Sequence, residues 1–201
     1  MRKSYIFLVL VILAVISGWY LGSLTKNNQN TFGNRGGISV DLIVKQYRNG
    51  TLISEQYKRG DPFTKNFVLN MYGLLDGWGS SVTMQDETNT ARSIGYGSLF
   101  SGTAYVGIGT GTNAFDINNY NLISPIAWVQ SSATSTSSIG TNGNISFSAS
   151  FPLSSAATIT EVGVKVSEGG YNFLILRDLI TPINANAGDT ITVQYIIRLN
   201  G

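Results

Sequence analysis

Two hydrophobic rhythms run through the chain, and each predicts a different kind of element. At the start, eleven apolar residues in a row, Ile6 to Ile16, follow Met1-Arg2-Lys3. A basic start ahead of a run of this length has the form of a secretory signal. Extended through Trp19, Tyr20 and Leu24, the same stretch reaches about 20 residues, enough for a helix to cross a bilayer. Residues 1–24 therefore read as an N-terminal hydrophobic helix, either a cleaved signal peptide or a retained membrane anchor. Val15-Ile16-Ser17 offers only an approximate cleavage pattern, and both readings stay open. With Arg2 and Lys3 on the inner side, the remainder is exported in either case, to the cell surface or the extracellular space. It meets the membrane through residues 5–24, at least before processing.

Residues 25–37, TKNNQNTFGNRGG, are rich in Asn and Gly and poor in apolar residues, which is the composition of a flexible segment. The rhythm then changes to a period of two. Ile38, Val40, Leu42 and Val44 alternate with Ser39, Asp41, Ile43 and Lys45, as in a strand with one buried face. Asn49-Gly50 favours the positive φ values of a type I′ turn, so Thr51 to Lys58 is expected to return antiparallel. Asp61-Pro62 has the form of an N-cap followed by proline at the first helical position. Phe63, Phe67, Met71 and Leu75 recur every four residues, which predicts one short amphipathic helix ending near Asp76-Gly77. Gly73 weakens that helix by about 1 kcal/mol relative to alanine, so it depends on docking an aromatic face against a sheet.

From Ser80 onward the pattern is short β-rich segments separated by Gly, Asn or Pro: 82–84, 104–108, 126–129, 145–151, 159–166, 173–176 and 191–199. Ile191, Val193, Tyr195, Ile197 and Leu199 share one face of the last. Glu168-Gly169-Gly170 predicts a turn between two strands, and Ser131 to Asn144 reads as a long polar loop. The sum is an all-β fold, a β-sandwich or jelly roll of immunoglobulin-like or similar kind, with residues 38–201 forming a single ectodomain.

Composition narrows what such a domain does. The chain has no Cys and no His, which removes disulfides, Ser-His-Asp and Cys-His arrangements, thiolate nucleophiles and ordinary zinc sites. An exported protein without disulfides relies on packing, a dense hydrogen-bond ladder or assembly with neighbours. Thirteen Lys and Arg face eleven Asp and Glu, and setting Arg2 and Lys3 aside leaves the two signs equal. That neutrality, with no basic stripe, argues against a nucleic-acid partner.

The remaining candidate chemistry is thin. Asp86, Glu87, Asp116, Glu161 and Glu168 are carboxylates of the type that pair in glycoside hydrolysis, but adjacent carboxylates in loops are usually just solvated. Asp116, Asn118, Asn119 and the Asp86-Glu87 pair offer oxygens to a calcium ion without forming a dedicated loop. Gly107-Ile-Gly109-Thr-Gly111-Thr112 lacks the lysine and the following helix of a phosphate cradle and reads as a glycine-rich strand exit. Trp78, Trp128 and the ten tyrosines suit a sugar-stacking platform or, more commonly, core and edge packing. No catalytic residue, cofactor or metal site is expected. Glycans enter as attachments: Asn49-Gly-Thr51 and Asn144-Ile-Ser146 are glycosylation sequons, the first on a tight turn and the second bordering the Ser/Thr-rich loop.

An ordered series of short motifs runs from about Thr103 to the C-terminus. It comprises Tyr105-Val-Gly-Ile-Gly-Thr-Gly-Thr-Asn-Ala114, Tyr120-Asn-Leu-Ile-Ser-Pro125, Ile159-Thr-Glu-Val-Gly163, Arg177-Asp-Leu-Ile-Thr-Pro182 and Ala187-Gly-Asp-Thr-Ile-Thr-Val193. It resembles a β-sandwich module of tailed-virus structural proteins, a likeness that implies a building block without enzymatic activity. That module does not normally follow a secretion signal, and here the chain departs from the pattern. In architecture the chain also resembles subunits of archaeal extracellular filaments, of the thread and bundling-pilus type, which implies assembly by donor-strand complementation. In that mode a strand from one subunit completes the sandwich of the next. Ile38, Val40, Leu42 and Val44, behind a polar reach of thirteen residues, are the first choice for the donated face. The competing reading keeps this strand in its own subunit through the Asn49-Gly50 hairpin, and then only Phe32 is a sizeable anchor within residues 25–37. The leading expectation is an exported, non-enzymatic homopolymer subunit. The alternatives are a membrane-anchored adhesin or glycan-binding module, and a structural protein of a membrane-containing virion.

Overall fold

Eleven strands and one helix follow one another in a computed structural model that describes residues 37–60, 62–76, 81–95, 102–132, 134–137 and 142–200. Residues 1–36, with the hydrophobic helix and most of the polar segment, lie outside the described residues. So do Asp61, Gly77 and Trp78.

The strands are β1 (Gly37–Arg48), β2 (Thr51–Gly60), β3 (Val82–Gln85), β4 (Ala91–Ile94), β5 (Thr103–Gly109), β6 (Pro125–Gln130), β7 (Thr134–Ser137), β8 (Asn142–Pro152), β9 (Ala157–Glu168), β10 (Tyr171–Ala185) and β11 (Thr190–Asn200). The helix α1 spans Lys65–Asp76, between β2 and β3. Sheet A runs β2-β1-β11-β8-β7 and sheet B runs β10-β9-β5-β6, both antiparallel. The short β3–β4 hairpin stands apart from them. The result is an all-β, sandwich-like fold.

Period-two alternation builds the interior. Val40, Leu42 and Val44 of β1, Ile191, Val193, Tyr195 and Ile197 of β11, and Phe147 and Phe151 of β8 are buried from sheet A, as the register requires. Val106 and Ile108 of β5 and Val162, Val164 and Val166 of β9 are buried from sheet B. The two predicted hairpins have their expected turns. Asn49 and Gly50 sit at φ 50° and 77°, and Gly169 and Gly170 at 58° and 83°. The left-handed region is where glycine carries no Cβ penalty.

Sheet B differs from the half-solvated sheet that simple alternation describes. Every residue of β9 from Ile159 to Val166 is buried, including Glu161 and Lys165. Its outer face is covered by distant segments. Helix α1 packs on β10 and β3, and the β3–β4 hairpin is tied to β9 and β10 through Glu87. The segment 110–124 folds over Glu161 and Gly163.

The helix starts later than Asp61-Pro62 predicts. Pro62 and Thr64 extend the sheet instead: the Arg177 amide donates to the Pro62 carbonyl, the Thr64 amide donates to the Ile175 carbonyl, and Phe63 bridges Leu176. Backbone pairing with an open strand edge outweighs a local start signal, because an unpaired edge amide is costly when buried. Phe67 of the helix stacks on Phe63 of the preceding extended segment at 4.1 Å between centroids, and both are buried. The helix packs on β10, so the aromatic anchor is shared between strand and helix and is not one helical face.

The Ser131–Asn144 stretch is likewise not all loop. It contains β7 and the first residues of β8, an edge ladder whose sequence holds no apolar alternation to reveal it.

Candidate functional site

The expected assembly residues lie on the hairpin β1–β2. Val40, Leu42 and Val44 point into the chain's own core, and Ile38 at the strand start is 40% exposed. β1 is paired on both sides within the same chain: Leu42 stands opposite Tyr195 of β11 and Lys58 of β2, and Val44 opposite Val193 and Gln56. The donor-face residues are thus an internal strand in this structure. The strand at the sheet edge is β2.

β2 places Gln56 and Lys58 on the inward face, over the edge of β10. The Gln56 amide acts as a substitute strand. Its Nε2 donates to the Thr181 carbonyl at 2.8 Å, and its Oε1 accepts from the Thr181 amide at 3.1 Å. Lys58 Nζ reaches Asp178 Oδ1 at 2.6 Å and the Leu179 carbonyl at 3.1 Å. Together with Pro62 and Thr64, these contacts cap the free edge of β10. Between them a recess of about 440 Å³ reaches the flanks of Leu42 and Val44. Inward-pointing charged residues are a known brake on edge-to-edge pairing, and here the inward lysine is engaged with β10. The solvent side of β2 is different: Leu52, Ile53 and Tyr57 are all exposed there.

Four carboxylates fasten this frame. Asp189 accepts from Gln46, from Arg48 through two nitrogens, and from the Asn186 amide. The Arg48 and Asn186 bonds hold its carboxyl far below the usual range. Asp41 lies on the outer face of sheet A, where burial pushes its carboxyl up but bonds from Arg198 and Tyr57 outweigh that. Asp86 shows the same balance, with burial opposed by Thr88, Arg92 and Thr90, and its carboxyl ends far below the ordinary range. Glu87 is lowered too, as Lys165 and Asn172 overcome burial.

For a depressed carboxyl the stabilisation is complete above the unfolded pKa, near 4, and is lost as pH falls through the folded value. Asp178 runs the other way, since burial raises it despite Lys58. With four groups lowered and one raised, the melting temperature is expected to hold at neutral pH and to fall as pH drops below about 4. A midpoint unchanged down to about pH 2 would contradict this.

Segment 110–124 is held by a fully buried ion pair. Glu161 Oε1 accepts from the amides of Gly111 and Ser124 at 3.0 and 2.8 Å. Its Oε2 accepts from the Ile123 amide at 3.1 Å and from Arg177 Nε at 2.9 Å. Arg177 in turn donates to the carbonyls of Asn113 and Ala114 and to Asn119. Both side chains are 0% exposed. The glycines of the 107–112 run make room for this cluster and its neighbour. A Cβ on Gly109 would meet Glu161, and one on Gly107 would lie 2.5 Å from the Trp128 ring. The motif is a strand exit at the end of β5, as its sequence predicts. Glu161 is thereby an internal clamp with every oxygen engaged.

The other candidates sit as follows. Trp128 lies across Gly107, with Lys165 Nζ 4.5 Å from its centroid, so its ring is already engaged by protein. Asp116 closes its own turn by accepting from Asn118. Among the described residues no group of three or more acidic side chains converges as metal ligands. Asn49 stands exposed at a hairpin tip. Asn144 lies within β8, between Thr136 of β7 and Arg198 of β11, and its side-chain oxygen is enclosed without a partner. The sequon at Asn49 is therefore the more accessible of the two, the reverse of the order that loop composition suggests.

No known family model, curated protein or solved structure matches this chain. Among the described residues no helix is long and apolar enough to cross a membrane. Sequence reasoning missed Lys58, Asp178, Arg177 and Asp189, all of which act through partners far away in the chain. Only the Arg-Asp and Gly-Asp pairs in the motif series hinted at the last three.

Proposed function

We propose that the chain is an exported, non-enzymatic structural subunit that joins copies of itself head-to-tail into a cell-surface filament, with the β-sandwich as the rigid repeat. The observation that carries this reading is the edge strand β2, ten residues long, which leaves Leu52, Ile53 and Tyr57 exposed beside a backbone edge that no strand among the described residues pairs with. Exposed apolar side chains grouped on a sheet edge mark a place where another strand is received. A neutral surface and a basic-then-apolar N-terminus support the same reading.

The pairing of β1 on both sides within its own chain favours a version in which β1 is not the exchanged strand. The joint is then made at the β2 edge, by residues ahead of Gly37 of a neighbouring copy or by another edge of it. Sugars on Asn49, at the tip of the same hairpin, would stand beside that joint. The adhesin reading is weaker, because the partly buried Trp128 ring already packs on Gly107 and takes the Lys165 ammonium.

Replacing Leu52 and Ile53 with lysine tests this. Filaments of the mature chain in negative stain are expected to be lost, while the melting temperature stays close to wild type, as for exposed surface changes. Unaltered filaments in the double variant would remove the β2 edge from the reading.

A further inference from the structure

One side of the sandwich is closed without any strand pairing between the sheets. There, β2 of sheet A meets β10 of sheet B only through side chains, and the central contact is Lys58 Nζ to Asp178 Oδ1 at 2.6 Å. Three features of that contact exceed what an ion pair needs. The carboxyl is 7% exposed and the lysine side chain 48%, so the electrophile is enclosed while the amine still reaches water. A second hydrogen bond, to the Leu179 carbonyl, fixes the nitrogen against the same stretch of β10. Beside the carboxyl stands the Tyr195 hydroxyl, 0% exposed, whose electrostatic partner in the interior is Asp178 itself.

We propose that Lys58 and Asp178 form an intramolecular amide, a covalent tie between β2 and β10 that closes the open side of the sandwich. The bond forms between Lys58 Nζ and Asp178 Cγ. The ammonium first passes a proton to the carboxylate it faces, directly or through water, and the free amine attacks the carbon of the now neutral carboxyl. The tetrahedral intermediate then loses its hydroxyl. The second nitrogen proton leaves with it, so that one water is released and no oxidant or co-reactant is required. Tyr195, the buried hydroxyl beside Asp178, is the donor placed to stabilise the oxygen that gains negative charge in the intermediate.

Amide formation between an amine and an acid is unfavourable between separate molecules in water. Two groups held in contact by packed strands can react at effective molarities of about 10⁵–10⁸ M, which removes most of the entropic barrier, and the product is held in a site from which water is largely excluded. Burial supports the step as well, since it raises the Asp178 carboxyl toward its neutral, electrophilic form. The tie would join residues 120 apart in sequence, in a chain that contains no cysteine to do so. It is internal to one subunit and stands whether or not subunits polymerise.

Mass spectrometry of the folded full-length chain, digested in denaturant, decides the matter. The expected result is a branched peptide joining the Lys58 and Asp178 segments, lighter by one water than the two linear peptides together. Lys58→Arg and Asp178→Ala each abolish it. Asp178→Asn restores the same product with ammonia as the leaving group. Tyr195→Phe lowers the linked fraction in newly folded chain while leaving both reacting residues in place. Recovery of Lys58 and Asp178 only in separate linear peptides from wild-type chain that melts cooperatively would mean an ion pair only, and would overturn the proposal.

Discussion

Replacing Glu161 with alanine is expected to destabilise the domain by about 3–5 kcal/mol, the largest effect of any single polar substitution in it. The substitution leaves the Arg177 guanidinium charged and uncompensated at a site with no exposure. It also strips the acceptor from the amides of Gly111, Ile123 and Ser124, so that segment 110–124 loses the group that folds it over β9. Against a total stability of about 5–15 kcal/mol, the variant should be largely unfolded or aggregated at moderate temperature. Removing both charges, as Glu161→Leu with Arg177→Met, should cost less than either single change, because no isolated buried charge remains. Recovery will be partial, since the loop amides and carbonyls still lack partners. Urea denaturation of the three variants measures this. A Glu161→Ala variant within about 1 kcal/mol of wild type would mean the pair does not hold the loop.

Leu42→Ala is expected to cost about 2–5 kcal/mol, because the side chain is 2% exposed in the middle of β1, between sheet partners on both sides. The midpoint carries further information in the Leu52→Lys/Ile53→Lys background, where assembly at the β2 edge is removed. If β1 belongs to its own chain, as its pairing with β2 and β11 indicates, the midpoint of that variant is independent of protein concentration. Exchange of β1 between copies would make it rise with concentration, since binding a neighbour stabilises by mass action. Thermal unfolding of that variant over a wide concentration range, with and without Leu42→Ala, separates the two.

What the sequence reveals of this fold follows from where the information is local. The face of β11 and the turns at Asn49-Gly50 and Gly169-Gly170 depend on neighbours one to four positions away, and they stand as the alternation and turn chemistry predict. β4, with Ala91-Arg-Ser-Ile94, and β7, with Thr134 to Ser137, carry no apolar alternation and owe their existence to the strands they pair with. The start of α1 is misplaced by a local signal, because Pro62 and Thr64 find backbone partners on β10. The burial of Glu161 and Lys165 on a central strand is invisible in β9 itself, since the covering segments come from residues 65–76, 82–94 and 110–124. The candidate site was least legible of all. The alternation in β1 is equally good for a donated strand and for a resident one, and only the registers with β2 and β11 place it within its own chain. The meeting of Lys58 with Asp178 depends on two strand edges from opposite sheets coming together.

The proposed assembly, sandwich joined to sandwich, is open to direct inspection by negative-stain microscopy of the mature chain, purified from the cell surface and compared at low and high concentration. Filaments whose repeat is one subunit long are expected. Particles that remain single sandwiches at every concentration and salt condition would rule the assembly out.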